Sequence, residues 1–161
     1  MAARLDRLPL IVLLLALTGV AMLVPAAFAL ALREHAVARA FLYFGLVVGG
    51  LSGFLGLATA RPRPGPEPGG LLPMLAAVYV VVPAAMALPV AEALPQMRFN
   101  DAWFEMVSSF TTTGASLIET PRRVSEAVHL WRAMAGWAGG LFVLVSALAF
   151  LAPLRLGGYE L

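Results

Sequence analysis

Four stretches of this chain, residues 8–32, 40–60, 71–93 and 130–154, are each apolar for more than 20 residues. A hydrocarbon layer about 30 Å thick takes about 20 helical residues to cross, so each stretch suits a membrane-spanning helix. Together they use most of the 161 residues and leave little from which to build a water-soluble domain. Only 12% of residues are charged, against about 25% in an ordinary soluble domain. All eleven basic residues are arginine and lie scattered rather than on one stripe, so no nucleic-acid partner is expected. Without cysteine there is no disulfide framework and no thiol nucleophile. The expected class is an all-α, multi-pass membrane protein surrounded by lipid.

The first stretch follows Arg4 and Arg7, and Ala27-Phe28-Ala29 has the form of a leader cleavage site. Leader cores run to about 7–15 residues. This one is longer, so a retained helix is expected, bent near its far end by Pro25. The second stretch carries Gly45, Gly49 and Gly53 four apart on one face. Such a face lets backbones approach closely in lipid, and packing within the chain is its expected use. Residues 61–70 read Arg-Pro-Arg-Pro-Gly-Pro-Glu-Pro-Gly-Gly and cannot continue a helix. The chain therefore divides into a helical hairpin (1–60), a linker (61–70) and a second unit (71–161). Pro83, in the middle of the third stretch, predicts a kink.

Four crossings put both ends on one side. Arg4, Arg7, Arg61, Arg63 and Arg155 would share it, against Arg33, Arg39, Arg98, Arg122, Arg123 and Arg132 opposite. Five against six does not choose the cytoplasmic side by charge.

The segment between the third and fourth stretches is of another kind. Residues 101–110, Asp-Ala-Trp-Phe-Glu-Met-Val-Ser-Ser-Phe, follow Asn100, and either Asn100 or Asp101 can cap a helix start. Ten helical residues span about 15 Å, half a bilayer. Thr111-Thr112-Thr113-Gly114-Ala115-Ser116 comes next: the threonines disfavour continuing the helix and Gly114 permits backbone angles other residues avoid. One reading is a re-entrant loop, a short helix followed by an extended return. Non-helical backbone is tolerated at membrane depth only inside protein or along a water-filled path. Its free carbonyls can then replace the water around a monovalent cation, with the C-terminal dipole of the short helix favouring that charge. The other reading is an external loop with a short amphipathic helix and a threonine-rich turn.

Phe-Glu-Met-Val-Ser-Ser-Phe-Thr-Thr-Thr-Gly-Ala-Ser, then Leu-Trp-Arg-Ala-Met-Ala-Gly-Trp-Ala-Gly-Gly, then an apolar run ending Leu-Gly-Gly-Tyr-Glu-Leu, resembles the Trk/Ktr/HKT potassium-transporter superfamily, most of all its TrkH-type membrane subunit. That resemblance implies an M1–P–M2 unit (helix, pore loop, helix) preceded by a helical hairpin. Residues 71–93 would be M1, 101–110 the pore helix, 111–116 the filter and 130–154 M2. Thr111, Thr112, Thr113, Gly114 and Ala115 would form the potassium-binding segment. Within it Thr112 and Thr113 offer carbonyls, Gly114 is the filter glycine and Ala115 the next residue outward. Potassium would be the transported ion, with no cofactor and no enzymatic step. The resemblance also implies a bacterial inner-membrane location, cytoplasmic termini and a cytoplasmic nucleotide-binding regulatory subunit.

Such transporters close a pore from four repeats, and only the first repeat is found here. The chain is therefore expected either to be the N-terminal part of a longer transporter or to assemble with other copies, and not to conduct alone. A reading of another class is a non-conducting membrane scaffold packed through its glycine faces.

Glu105 could be a cation-attracting ring residue, but a brace to Arg98, Arg122 or Arg123, or a cap contact, is expected, since charges at membrane depth are usually paired. Arg132 is expected to snorkel or to pair with loop acids. Trp103, Trp131 and Trp137 suit interfacial or pore-helix packing. Ser108, Ser109 and Ser146 have no base beside them in sequence, and His35 and His129 show no metal spacing.

Overall fold

Why the first span bends follows from Pro25. Lacking an N–H, it cannot bond the carbonyl of Ala21, and its ring crowds that carbonyl. In the computed structural model, which describes residues 10–59 and 71–151, the span divides at Met22 into α1 (Leu10–Ala21) and α2 (Leu23–Ala31). Met22 N–H still donates to Thr18 O (3.1 Å) and Ala26 N–H to Met22 O (3.2 Å), so the two parts make one bent helix.

The chain then reverses within three residues. Arg33 takes a left-handed φ of 61°, its N–H donates to Leu30 O (3.0 Å), and Glu34 N–H donates to Ala29 O (2.9 Å). This paired bonding is a Schellman cap, with arginine where glycine is usual. Glu34 O at once accepts from Ala38 N–H (3.0 Å), so α3 (His35–Thr59) begins five residues before the expected Ala40. Arg39 lies inside the helix rather than in the turn.

The hairpin closes backbone against backbone. A Cβ on Gly19 would lie 2.6 Å from Gly49 N and 2.9 Å from Gly45 O. Of the face predicted on α3, Gly45 is used within the chain, a Cβ there lying 3.0 Å from Gly19 O, and Gly49 only through its backbone, against a glycine the α3 pattern alone did not disclose. Among the described residues nothing lies within 4 Å of an added Cβ on Gly49, Gly50 or Gly53. Gly19→Val is expected to destabilise the chain by about 1–3 kcal/mol, as overpacking does. Gly50→Ala should be neutral or mildly stabilising. Thermal unfolding of the two variants in detergent checks this.

The second unit starts with α4 (Leu71–Ala93), the expected third span, with Pro83 and Pro89 inside it. Each proline loosens the carbonyls one turn before it. Two indoles bond the carbonyls next to those the prolines free, Tyr79 O and Ala85 O: Trp103 Nε1 donates to Val80 O (3.3 Å) and Trp131 Nε1 to Met86 O (3.0 Å). Both carbonyls lie three residues ahead of a proline. The short helix α5 (Phe99–Phe110) follows. Arg98, rather than Asn100 or Asp101, is its cap residue; Asp101 is the third helical residue and its carboxylate accepts from Arg98 N–H (3.3 Å).

A 3₁₀ turn (Pro121–Arg123) leads to α6 (Glu126–Leu151). Ser125 caps α6, its Oγ accepting from Ala127 N–H (3.1 Å), so this helix begins four residues before the expected Leu130. The Ser125 hydroxyl also donates to the Glu34 carboxylate, and Ala29, Ala38 and Ala127 pack beneath that contact. The hairpin is thereby seated on the start of α6.

Among the described residues every regular element is helical. Four helices are long and apolar enough to cross a membrane: Leu10–Ala31, His35–Thr59, Leu72–Ala93 and Glu126–Leu148. The core joins both units, with Phe41 of α3, Val82 and Met86 of α4, Met106 and Phe110 of α5, and Trp131 of α6 all buried. The expected linker, 61–70, and the ends of the first and fourth stretches lie outside the described residues.

Candidate functional site

Helix α5 has 12 residues, about 18 Å. Its end carries the candidate segment. Thr112 N–H donates to Ser109 O (3.0 Å) and Thr113 N–H to Ser108 O (2.9 Å), a second Schellman cap. Thr112 occupies the left-handed position, φ 58°. A β-branched residue is a rare occupant there. Gly114 is also left-handed, φ 78°, and its N–H shares Ser108 O (3.3 Å). The expected turn is present, but the first left-handed residue is Thr112, two positions before the glycine. Nothing in a run of three threonines singles out which one reverses the chain.

The side chains brace the turn. Thr111 Oγ1 donates to Val107 O (2.8 Å) and lies 2.8 Å from Thr113 Oγ1. Ser108 Oγ donates to Ala115 O (2.7 Å). Among the described residues no hydrogen bond reaches the carbonyls of Thr111, Thr112, Thr113 or Gly114. Ala115 differs from the other four candidates, because its carbonyl is already occupied. Residues 112–117 are exposed. All five candidate positions therefore lie together at the C-terminal end of α5, with four free carbonyls and the negative end of the helix dipole beside them.

Helix α6 supports this end through glycine. An added Cβ on Gly139 would lie 1.8 Å from Phe110 O, and one on Gly136 3.4 Å from Ser109 O. At Gly140 it would meet the Thr112 methyl at 3.5 Å.

Glu105 is fully buried. Its carboxylate accepts from Ser116 Oγ (2.9 Å) and from Leu117 N–H, and Oε2 lies 2.8 Å from Arg132 Nη2. That last contact is an ion pair without linear hydrogen-bond geometry, and Arg132 Nε meets no acceptor among the described residues. The expected brace on Glu105 exists, but its partner is Arg132 rather than Arg98, Arg122 or Arg123. Arg132 correspondingly turns inward instead of snorkelling or pairing with loop acids. The available signal was that Arg132 is the one arginine in α6, and a charge inside an apolar span wants a counter-charge at its own depth. Trp137, unlike Trp103 and Trp131, is 74% exposed.

No protein-family profile matches the chain. Individual relatives do. It is 34% identical over 151 residues to the Trk system potassium uptake protein TrkH of Vibrio parahaemolyticus, covering 92% of this chain and 31% of that protein. It is 34% identical over 83 residues to the Trk system potassium uptake protein TrkI of Halomonas elongata, covering 52% and 17%. To the Trk system potassium uptake protein TrkG of Escherichia coli it is 42% identical over 65 residues, covering 40% and 13%. The chain thus spans less than a third of the length of these curated relatives. These matches, with four helices able to cross a bilayer, make the chain a multi-pass membrane protein of the Trk potassium uptake family, TrkH type, matched over part of a relative's length.

Proposed function

We propose that the chain supplies one filter strand, and the helices that hold it, to a TrkH-like potassium pathway. The observation that carries this reading is the run of four carbonyls, Thr111 to Gly114, unbonded among the described residues, at the C-terminal end of a half-length helix, with residues 112–114 exposed. Carbonyls of Thr112 and Thr113 would replace water around a potassium ion as it enters, and the α5 dipole would favour its charge. Neutral oxygen ligands suit a weakly held ion that leaves quickly. In this reading α5 and the return segment form a re-entrant loop, residues 1–60 the hairpin, 61–70 the linker and 71–161 the pore unit. One strand provides about a quarter of an ion's shell, so further repeats or other copies complete the pore and the lone chain does not conduct. The family resemblance further implies a bacterial inner-membrane setting, cytoplasmic termini and a cytoplasmic nucleotide-binding regulatory subunit, and these belong to the same proposal. The scaffold alternative is weaker, because Gly19, Gly45, Gly136 and Gly139 are used inside the chain.

The test is a graft. A complete Trk system potassium uptake protein, with its matching segment replaced by this chain, should restore growth on low potassium in a strain lacking potassium uptake. Gly114→Val has open space for its side chain, so its cost is confined to the left-handed backbone, about 1–2 kcal/mol. Relief of that strain turns the carbonyls of 113 and 114. Uptake should then fall at least about tenfold at equal membrane abundance. Unchanged uptake sinks the filter reading and favours the scaffold.

A further inference from the structure

We propose that Glu105, held by Arg132, is a positioning residue that sets the span of the 111–117 segment and with it the choice between ions. The functional half of this inference rests on the filter reading above.

A buried carboxylate is costly unless its charge is paired and its lone pairs are used. Glu105 has its charge paired and Oε1 doubly bonded, by groups from two directions, while Oε2 has only the ion pair. Arg132 of α6 supplies the charge, and Ser116 Oγ and Leu117 N–H supply the donors. The return segment retraces α5: Ser108 bonds Ala115, and one turn back Glu105 bonds 116 and 117. The near end of the segment is fixed separately, by the cap on Ser108 and Ser109 and by Phe110 O against Gly139. Both ends of a short run of free carbonyls are therefore tied, and Glu105 is the far tie.

Arg132, Gly136 and Gly139 stand at i, i+4 and i+7, one face of α6. The face that seats the end of α5 thus also holds the far tie. Arg132 has a second effect: by pairing with Glu105 it keeps the carboxylate behind the segment from acting as a cation ligand itself. A tied segment cannot contract freely around a smaller ion, so loss of the tie lowers discrimination against sodium.

Two measurements test this. In the intact 161-residue chain in lipid nanodiscs, amide hydrogen exchange at Leu117 should speed up by about tenfold or more in Glu105→Ala, the scale of a lost charge-assisted bond. Amides in the middle of α4 should not change. Glu105→Gln keeps the shape and a neutral acceptor, so it covers the case in which the alanine variant fails to fold. Its expected acceleration at Leu117 is about threefold. Unchanged exchange at Leu117 in the folded variant overturns the tie.

In the grafted transporter, Glu105→Gln should lower the rubidium-to-sodium uptake ratio at least about threefold. A merely structural role would lower both fluxes together, and that result overturns the positioning role. Uptake that survives Gly114→Val overturns the filter reading itself. Uptake lost in Gly114→Val, with an unchanged ratio in Glu105→Gln, overturns only the inference made here.

Discussion

Gly139→Ala should separate α5 from α6 and lower the stability of the chain more than any other single methyl addition. The new Cβ would sit 1.8 Å from Phe110 O, 2.6 Å from its carbonyl carbon and 2.8 Å from its Cα. These are backbone atoms and cannot rotate aside, so a helix must shift. The shift breaks the cluster that Phe110 makes with Tyr79 and Phe142, whose ring centroids lie 5.7 and 5.9 Å from its own. Overpacking of this kind costs about 1–3 kcal/mol when neighbours can yield, and backbone neighbours place this case at or above the upper end. Gly53→Ala is the matched control. Among the described residues nothing lies within 4 Å of its added Cβ, and alanine is the better helix former by about 1 kcal/mol. Thermal unfolding in detergent, followed by tryptophan fluorescence, should show Gly139→Ala melting well below the unsubstituted chain and Gly53→Ala at or above it. Equal melting of both variants would mean that α5 and α6 are not in backbone contact.

Trp131→Ala is the second large effect. Trp131 is 1% exposed, meets Phe41 edge-on at a centroid distance of 5.8 Å, and donates to Met86 O on α4. It therefore ties α3, α4 and α6 at one point. Truncation opens a cavity of nearly a whole indole and removes the indole donor from Met86 O. Core tryptophan-to-alanine changes cost about 3–5 kcal/mol. Trp131→Phe keeps much of the packing and loses mainly the N–H, for about 1–3 kcal/mol. Trp137→Ala, on an exposed face, should stay within about 0.5 kcal/mol of the parent. Equilibrium unfolding in mixed detergent–SDS micelles should rank the three in that order. A Trp131→Ala variant as stable as Trp137→Ala would remove this residue from the core.

The same two contacts mark where local reading ends. The four spans needed only hydropathy and length, and the limits of α4 and the end of α5 at Phe110 match the expectation to the residue. The starts of α3 and α6 do not, because Glu34 and Ser125 open those helices among polar residues that resemble loop. Gly114 as a residue needing left-handed backbone was readable, since only glycine takes that angle without strain. Thr112 was not, because its angle is imposed by the hydrogen bonds of the cap.

By itself, then, the sequence determined an all-helical membrane chain with a short polar helix ending in a threonine–glycine turn, because hydrophobic length and backbone preference act over a few neighbouring residues. The tertiary structure alone decided that Glu105 pairs with Arg132 and, among the described residues, that Gly19 and Gly139 are the close approaches while Gly50 and Gly53 are not, and that the carbonyls of 111–114 are free while that of Ala115 is taken. The physical reason is that partner choice depends on the rotation and offset of whole helices against one another. Those are set by the sum of contacts along each interface, and no single stretch of chain contains that sum.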